Sequence, residues 1–171
     1  MEKTKPKIYF VMGVSASGKT TLGKALAGEL GLVFFDGDDY HLPENIEKMA
    51  AGHPLDDQDR RSWLKRLNEL ARQYQSTGAV IGCSALKEQY REWLSAGLET
   101  AVVWIVLAGS FDEIRERIEN RKGHFMPPGL LRSQFDTLEL PSYGIHLPVS
   151  LTVAEMLHRI RGAARAEGDP S

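Results

Sequence analysis

The chain has 171 residues, 42% of them hydrophobic and 26% charged, which suits one globular domain with a sizeable core. A formal net charge of -2 gives no general attraction to nucleic acid or to an anionic membrane, and no apolar run approaches the ~20 residues of a membrane span. The single cysteine, Cys83, excludes an intrachain disulfide and a multi-cysteine metal site, and the charged N-terminus has no apolar signal segment, so a reducing cytoplasm is the expected compartment.

Residues 8–12 read as a buried strand. They run into Gly13-Val14-Ser15-Ala16-Ser17-Gly18-Lys19-Thr20 and then into a helix over 21–30 that ends near Gly31. Residues 32–35 form a second strand leading into Asp36-Gly37-Asp38. A short helix over 43–51 stops at Gly52. A longer helix over 57–75 carries Trp63, Leu64, Leu67, Leu70, Ala71 and Tyr74 at helical spacing. After Gly78 come a strand (79–83), a helix (87–96) and the clearest buried strand (101–107). Ser110 with Glu113 makes a capping box for a helix to about residue 120. Residues 121–129, with Gly123, Pro127, Pro128 and Gly129, read as a loop, followed by a helix over 130–138. The last strand, 145–149, is weak and contains Pro148, which points to an edge or a short strand. Thr152 with Glu155 caps a final helix to about residue 164, and residues 167–171 read as a frayed tail. Strands alternating with helices predict an α/β fold with a parallel sheet. No repeat or dividing linker interrupts it, so one domain is expected over 1–171, with an insertion at about 40–76 and a lid at about 121–138.

The segment from Gly13 to Thr20 fits G-x-x-x-x-G-K-[ST] in the strand–loop–helix context that this phosphate-binding loop requires. Gly13 and Gly18 let the backbone curl so that N–H groups from Ser15, Ala16, Ser17 and the start of the helix, including Thr21, converge on phosphate, aided by the helix N-terminus. Lys19 brings charge to the β- and γ-phosphates, and Thr20 offers a hydroxyl to Mg²⁺. A nucleoside triphosphate is the expected ligand. Asp36 and Asp38 follow the second strand, where ligands bind in open α/β sheets. Asp36 is assigned to the metal side, and Asp38 to the proton of an attacking hydroxyl.

Four further groups of residues have two readings each. Arg60 is suited to clamping a carboxylate or a polyol through its planar fork, whereas Asp56 and Asp57 fit a helix N-terminus. Ser84 stands at the end of the third strand, near the site or as a helix cap. Lys87 and Arg91 share a helix face, as an anion-binding pair or as solvated partners of Glu88 and Glu92. Arg117 and Arg121 end a basic helix beside a Gly/Pro-hinged segment, which suits a closing lid whose cations meet the transferring phosphoryl group. Either arginine also suits stacking on adenine. The absence of an N-K-x-D segment argues against a GTPase. A third strand ending in Cys83 rather than aspartate argues against a motor ATPase.

Beyond these readings, the chain resembles the gluconokinases of the small, shikimate-kinase-like P-loop type. The resemblance rests on the phosphate loop through Thr21; on Phe35-Asp36-Gly37-Asp38-Asp39-Tyr40-His41; on Asn45-Ile46-Glu47-Lys48-Met49 with Gly52-His53-Pro54-Leu55 and Asp59-Arg60; and on Cys83-Ser84-Ala85-Leu86-Lys87 with Tyr90-Arg91. It extends to Gly123-His124-Phe125-Met126-Pro127 and to Ser133-Gln134-Phe135-Asp136-Thr137-Leu138-Glu139. It departs from the family pattern at Ser62, where a proline is usual, and at Leu140, where an acidic residue is usual. The resemblance implies ATP- and Mg²⁺-dependent phosphorylation of D-gluconate at its 6-hydroxyl, a five-stranded parallel sheet, a mobile lid and often a homodimer. Under it, Lys19, Asp38 and Arg121 carry the chemistry, and His41, Arg60, Ser84, Lys87, Arg91 and Gln134 join Asp38 as candidates for holding gluconate.

Overall fold

The computed structural model describes residues 5–121 and 127–168. Strand β1 (Lys7–Met12) has Ile8, Phe10, Val11 and Met12 fully buried, the mark of a strand covered on both faces. It is the middle strand of a five-stranded sheet in the order β2-β3-β1-β4-β5. The other strands are β2 (Phe34–Asp36), β3 (Ala79–Gly82), β4 (Ala101–Ala108) and β5 (Ile145–Pro148). Every pairing is parallel. Phe10 lies opposite Ile81 on one side and Trp104 on the other, and Leu107 opposite Leu147. The proline-containing strand takes the edge, where its missing N–H costs no ladder bond.

Helices α1 (Lys19–Leu30), α2 (Pro43–Ala50), α3 (Asp57–Gln73), α4 (Glu88–Ser95), α5 (Phe111–Asn120), α6 (Pro128–Thr137) and α7 (Val153–Gly168) fill the connections. On α3 the apolar stripe Trp63, Leu64, Leu67 and Ala71 is buried, as its spacing predicts. Asp56 caps that helix and forms a capping box with Asp59; Ser110 and Glu113 do the same for α5. Thr152 and Glu155 exchange the same pair of bonds at the start of α7. Helix α7 runs to Gly168, past the expected end near residue 164. Helix α6 starts at Pro128 instead of residue 130, because proline is well suited to the first turn. Ser84 does not cap α4: Lys87 holds the N-cap position, with no side-chain cap. Among the described residues, no helix is long and apolar enough to cross a membrane.

The strand order turns at β1, between β3 and β4, so the carboxyl ends of β1 and β3 open onto a crevice. At its rim a single 3₁₀ turn (Gly37–Tyr40) leaves β2. Gly37 is required there, since a Cβ would collide with the carbonyl oxygen of Gly82 on the neighbouring strand. The Trp63 indole donates to the Gly37 carbonyl at 2.7 Å and pins the turn to α3.

Candidate active site

A cavity of about 590 Å³ fills the crevice. Ser15, Ala16 and Lys19 line one end. Asp38 and His41 line the floor, and Arg60, Trp63 and Ser84 the acceptor side. Arg121 and Gln134 come from the side of the expected lid. Apolar walls are supplied by Ile46 and Met49 of α2, and by Leu55. Residues 122–126, including His124, lie outside the described residues, so only Arg121 and α6 represent the expected lid.

The phosphate loop has the curl its sequence requires. Gly18 takes φ +100° and Ala16 φ +63°, both left-handed, and helix α1 begins with the Leu22 N–H bonded to the Gly18 carbonyl at 3.0 Å. A Cβ on Gly13 would sit 2.6 Å from the Ser17 hydroxyl. The Lys19 ammonium folds back on the loop and donates to the carbonyls of Gly13 (3.0 Å) and Val14 (2.9 Å). Burial lowers its pKa, against the opposing pull of Asp38, Cys83 and Asp36. Ser17 was expected to face phosphate. Its N–H instead bonds within the loop to the Val14 carbonyl at 3.3 Å, and its hydroxyl is buried without a partner. Thr21 is exposed in the first turn of α1.

Thr20 donates its hydroxyl to Asp36 Oδ2 at 3.2 Å, while Asp36 Oδ1 accepts the Asp38 N–H at 3.0 Å. A hydroxyl and a carboxylate side by side at the mouth of a phosphate loop are hard oxygen donors that suit Mg²⁺. Among the described residues no cluster of three or more His, Cys, Asp or Glu forms a closed metal site.

Asp38 opens into the cleft with its side chain 73% exposed, while the His41 side chain is 6% exposed. His41 Nε2 lies 3.7 Å from Asp38 Oδ1, and the imidazole stacks on Trp63 with centroids 4.0 Å apart. The His41 imidazole beside it holds the Asp38 carboxyl below its ordinary pKa, helped by Lys19 and opposed by desolvation from the surrounding protein. His41 Nδ1 is buried and unpartnered. His41 thus touches the cleft while acting on Asp38. Cys83 lies directly behind the site, 1% exposed, and burial pushes its thiol up to about 12, which makes it a packing residue.

The two basic helix-end residues separate. Arg121 lines the main cavity with Lys19 and Asp38. Arg117 packs beneath the phosphate loop and donates to the carbonyls of Ser17 (3.4 Å) and Val149 (2.8 Å). It borders a second cavity of about 290 Å³, together with Val149, Ser150, Leu151 and Thr152 from the connection after β5.

Three expected acceptor contacts are placed differently. Arg91 does not reach the cleft. It is 2% exposed, and its guanidinium donates to Glu88, to the Tyr143 hydroxyl and to the carbonyls of Ala85 and Glu139. A fork so occupied holds loops together, and the guanidinium is absent from the cavity lining. Lys87 lies outside the cavity and pairs with Asp57 at 3.0 Å. Gln134 lines the cavity, but both ends of its amide engage Ser15 of the phosphate loop. Arg60 does reach the cleft: it is 8% exposed and lines the cavity, with Nη1 donating to the Tyr90 hydroxyl at 2.9 Å. Sequence reasoning gave Trp63 no part in the site. Its i, i+3 relation to Arg60 puts both on one face of α3 and was the available signal.

The family model described as shikimate kinase matches residues 15–134. The thermoresistant gluconokinase of Escherichia coli K12 is 47% identical over 136 residues, covering 78% of this chain and 77% of that protein. A probable gluconokinase of Mus musculus is 46% identical over 155 residues, covering 80% of this chain and 84% of that protein. Among solved structures, a gluconokinase from Sinorhizobium meliloti 1021 superimposes with a TM-score of 0.86 at 39% identity, covering 96% of this chain and 95% of that one. With the phosphate loop, the parallel sheet and relatives of this identity and coverage, the chain belongs to the gluconokinase family of shikimate-kinase-like P-loop kinases.

Proposed function

We propose that this protein transfers the γ-phosphoryl group of ATP to the 6-hydroxyl of D-gluconate, giving 6-phospho-D-gluconate and ADP, with the residues of the main cavity in the following roles. The observation that carries the reading is the meeting of the phosphate loop, Asp38 and Arg60 in one cavity. A triphosphate end, a base and a carboxylate receptor then face one another, as transfer to a sugar acid requires.

In this reading the N–H groups of the loop and the start of α1 hold the β- and γ-phosphates. Lys19 leaves its two carbonyl acceptors for phosphate oxygens. Thr20 and Asp36 are the residues that would hold Mg²⁺, which supplies charge neutralisation on the triphosphate when bound. Asp38 accepts the hydroxyl proton as the hydroxyl oxygen attacks phosphorus, and its lowered pKa keeps it ionised for that task. Arg121 joins Lys19 in offsetting charge on the transferring group. Arg60 takes the gluconate carboxylate. Arg117 and the 149–152 connection form the adenine end.

The test is ADP release from Mg²⁺-ATP with and without D-gluconate, with shikimate and nucleoside monophosphates in parallel. Stimulation by gluconate alone is the expected result. Stimulation by another acceptor instead would keep a kinase and overturn the acceptor.

A further inference from the structure

Arg60 is a buried cation with no carboxylate of its own. Among the described residues none pairs with its guanidinium. Its partner is a phenol: Nη1 donates to the Tyr90 hydroxyl at 2.9 Å, and the guanidinium carbon lies 5.3 Å from the centre of the same ring. Tyr90 lies outside the cavity lining and is 1% exposed. Its hydroxyl donates to Asp57 Oδ1, and Lys87 donates to that same oxygen at 3.0 Å. These contacts hold the Asp57 carboxyl below its ordinary pKa, Tyr90 first and Lys87 second.

A phenol has one proton. With that proton on Asp57, Tyr90 presents only lone pairs to Arg60 and can act towards it only as an acceptor. Lys87 balances Asp57 at the far end. The negative charge is thereby kept one side chain away from the guanidinium. A carboxylate placed directly on Arg60 would form an internal ion pair that an anionic ligand would have to break. A guanidinium with no partner would lose several rotamers on binding. The neutral partner avoids both costs, leaving Arg60 aimed and still charged.

We propose that Tyr90, oriented by Asp57, is a positioning residue that fixes Arg60 as the receptor for the acceptor's carboxylate, and so makes the enzyme select a sugar acid. The proposal rests on the assignment of Arg60 to the carboxylate. Nothing in it touches the phosphate loop, so its signature is confined to the acceptor.

The experiment is steady-state kinetics on the full chain for Tyr90→Phe, Asp57→Asn and Arg60→Met. Tyr90→Phe deletes one oxygen and keeps the ring. It is expected to raise KM for gluconate by roughly tenfold, the scale of one hydrogen bond to a charged group, with kcat and KM for ATP within about twofold. Asp57→Asn keeps an acceptor for the phenol and removes the charge from an exposed position, so it should raise the gluconate KM by a smaller factor. Gluconate KM unchanged in both variants, or kcat and both KM values worsening together in the mild Asp57→Asn variant, would overturn the proposal. Arg60→Met separates the two layers. If it raises the gluconate KM strongly while Tyr90→Phe and Asp57→Asn do not, the relay fails and the Arg60 assignment stands. If Arg60→Met leaves that KM unchanged, both fall.

Discussion

Gln134 grips Ser15 at both ends of its amide: Oε1 accepts the Ser15 backbone N–H at 2.7 Å, and Nε2 donates to the Ser15 hydroxyl at 2.9 Å. A backbone N–H only donates, so the orientation of the amide is fixed. Its carbonyl oxygen therefore occupies a loop donor of the kind that phosphate oxygens take. Incoming nucleotide must displace it. Gln134→Ala should tighten a non-hydrolysable ATP analogue by a few-fold, the scale of one neutral hydrogen bond, in a calorimetric titration. Weaker binding would instead show that Gln134 supports the filled loop.

Lys19 is held to the loop's own carbonyls only by its ammonium. Lys19→Ala should therefore leave the fold intact. It should lower turnover by about a hundredfold or more, as expected for a charge that acts on the transferring group. A melting curve matched to the parent and a near-absent rate of ADP formation would together support this. A near-normal rate would remove Lys19 from the mechanism.

Asp38→Asn should lower kcat by roughly a hundredfold to ten-thousandfold, with nucleotide affinity little changed. The pH behaviour follows from the direction of its shift. A carboxyl held below its ordinary pKa stays ionised above that ordinary value and loses its charge only as pH falls through the lower, folded-state value. Asp38 should then put no acid limb on kcat between pH 5 and 8. His41 is the largest cause of the lowering, so His41→Ala should move the acid limb to higher pH. An unmoved limb would mean that His41 does not act through Asp38.

Cys83 provides a simple check on the rear wall of the site. A thiol 1% exposed and pushed up to about 12 has almost no thiolate at pH 8. A disulfide reagent should leave the native protein untouched and titrate one thiol after denaturation. Fast labelling of the native protein would show that the wall behind the phosphate loop opens.

What was legible in the sequence shares one physical property: it is local. The phosphate loop, the capping boxes of α5 and α7, and the buried stripe of α3 are written in residues a few positions apart, and the structure has them all. Pro148 points to an edge or a short strand, and β5 is both. The site's cross-chain pairings had no such signal. Ser15 and Gln134 stand 119 positions apart, Arg60 and Tyr90 thirty. Spacing placed Lys87 and Arg91 on one helix face, but one turn along α4 is the difference between the rim, beside Asp57, and the interior. Side-chain chemistry alone does not tell a ligand-binding arginine from a structural one.

Arg91 makes that distinction measurable. Its Nε donates to Glu88 and Tyr143, its Nη1 to the Ala85 carbonyl at 2.7 Å and its Nη2 to Glu88 and the Glu139 carbonyl. Ala85 sits at φ +46°, a conformation that costs energy in a residue with a Cβ and that the bond to Arg91 helps to hold. Removing the guanidinium takes its donors from the Ala85 and Glu139 carbonyls and leaves Glu88 only the Tyr143 hydroxyl, around a side chain that is 2% exposed. Arg91→Ala should therefore cost about 3 kcal/mol or more of stability. In a chain of this size that is a fall in Tm of roughly 6–12 °C. Lysine should not rescue it, since a single ammonium cannot reproduce the planar fork. The gluconate KM, measured well below the new Tm, should stay within about twofold of the parent, because no Arg91 donor faces the cavity. A large rise in that KM with an unchanged Tm would return Arg91 to the acceptor site.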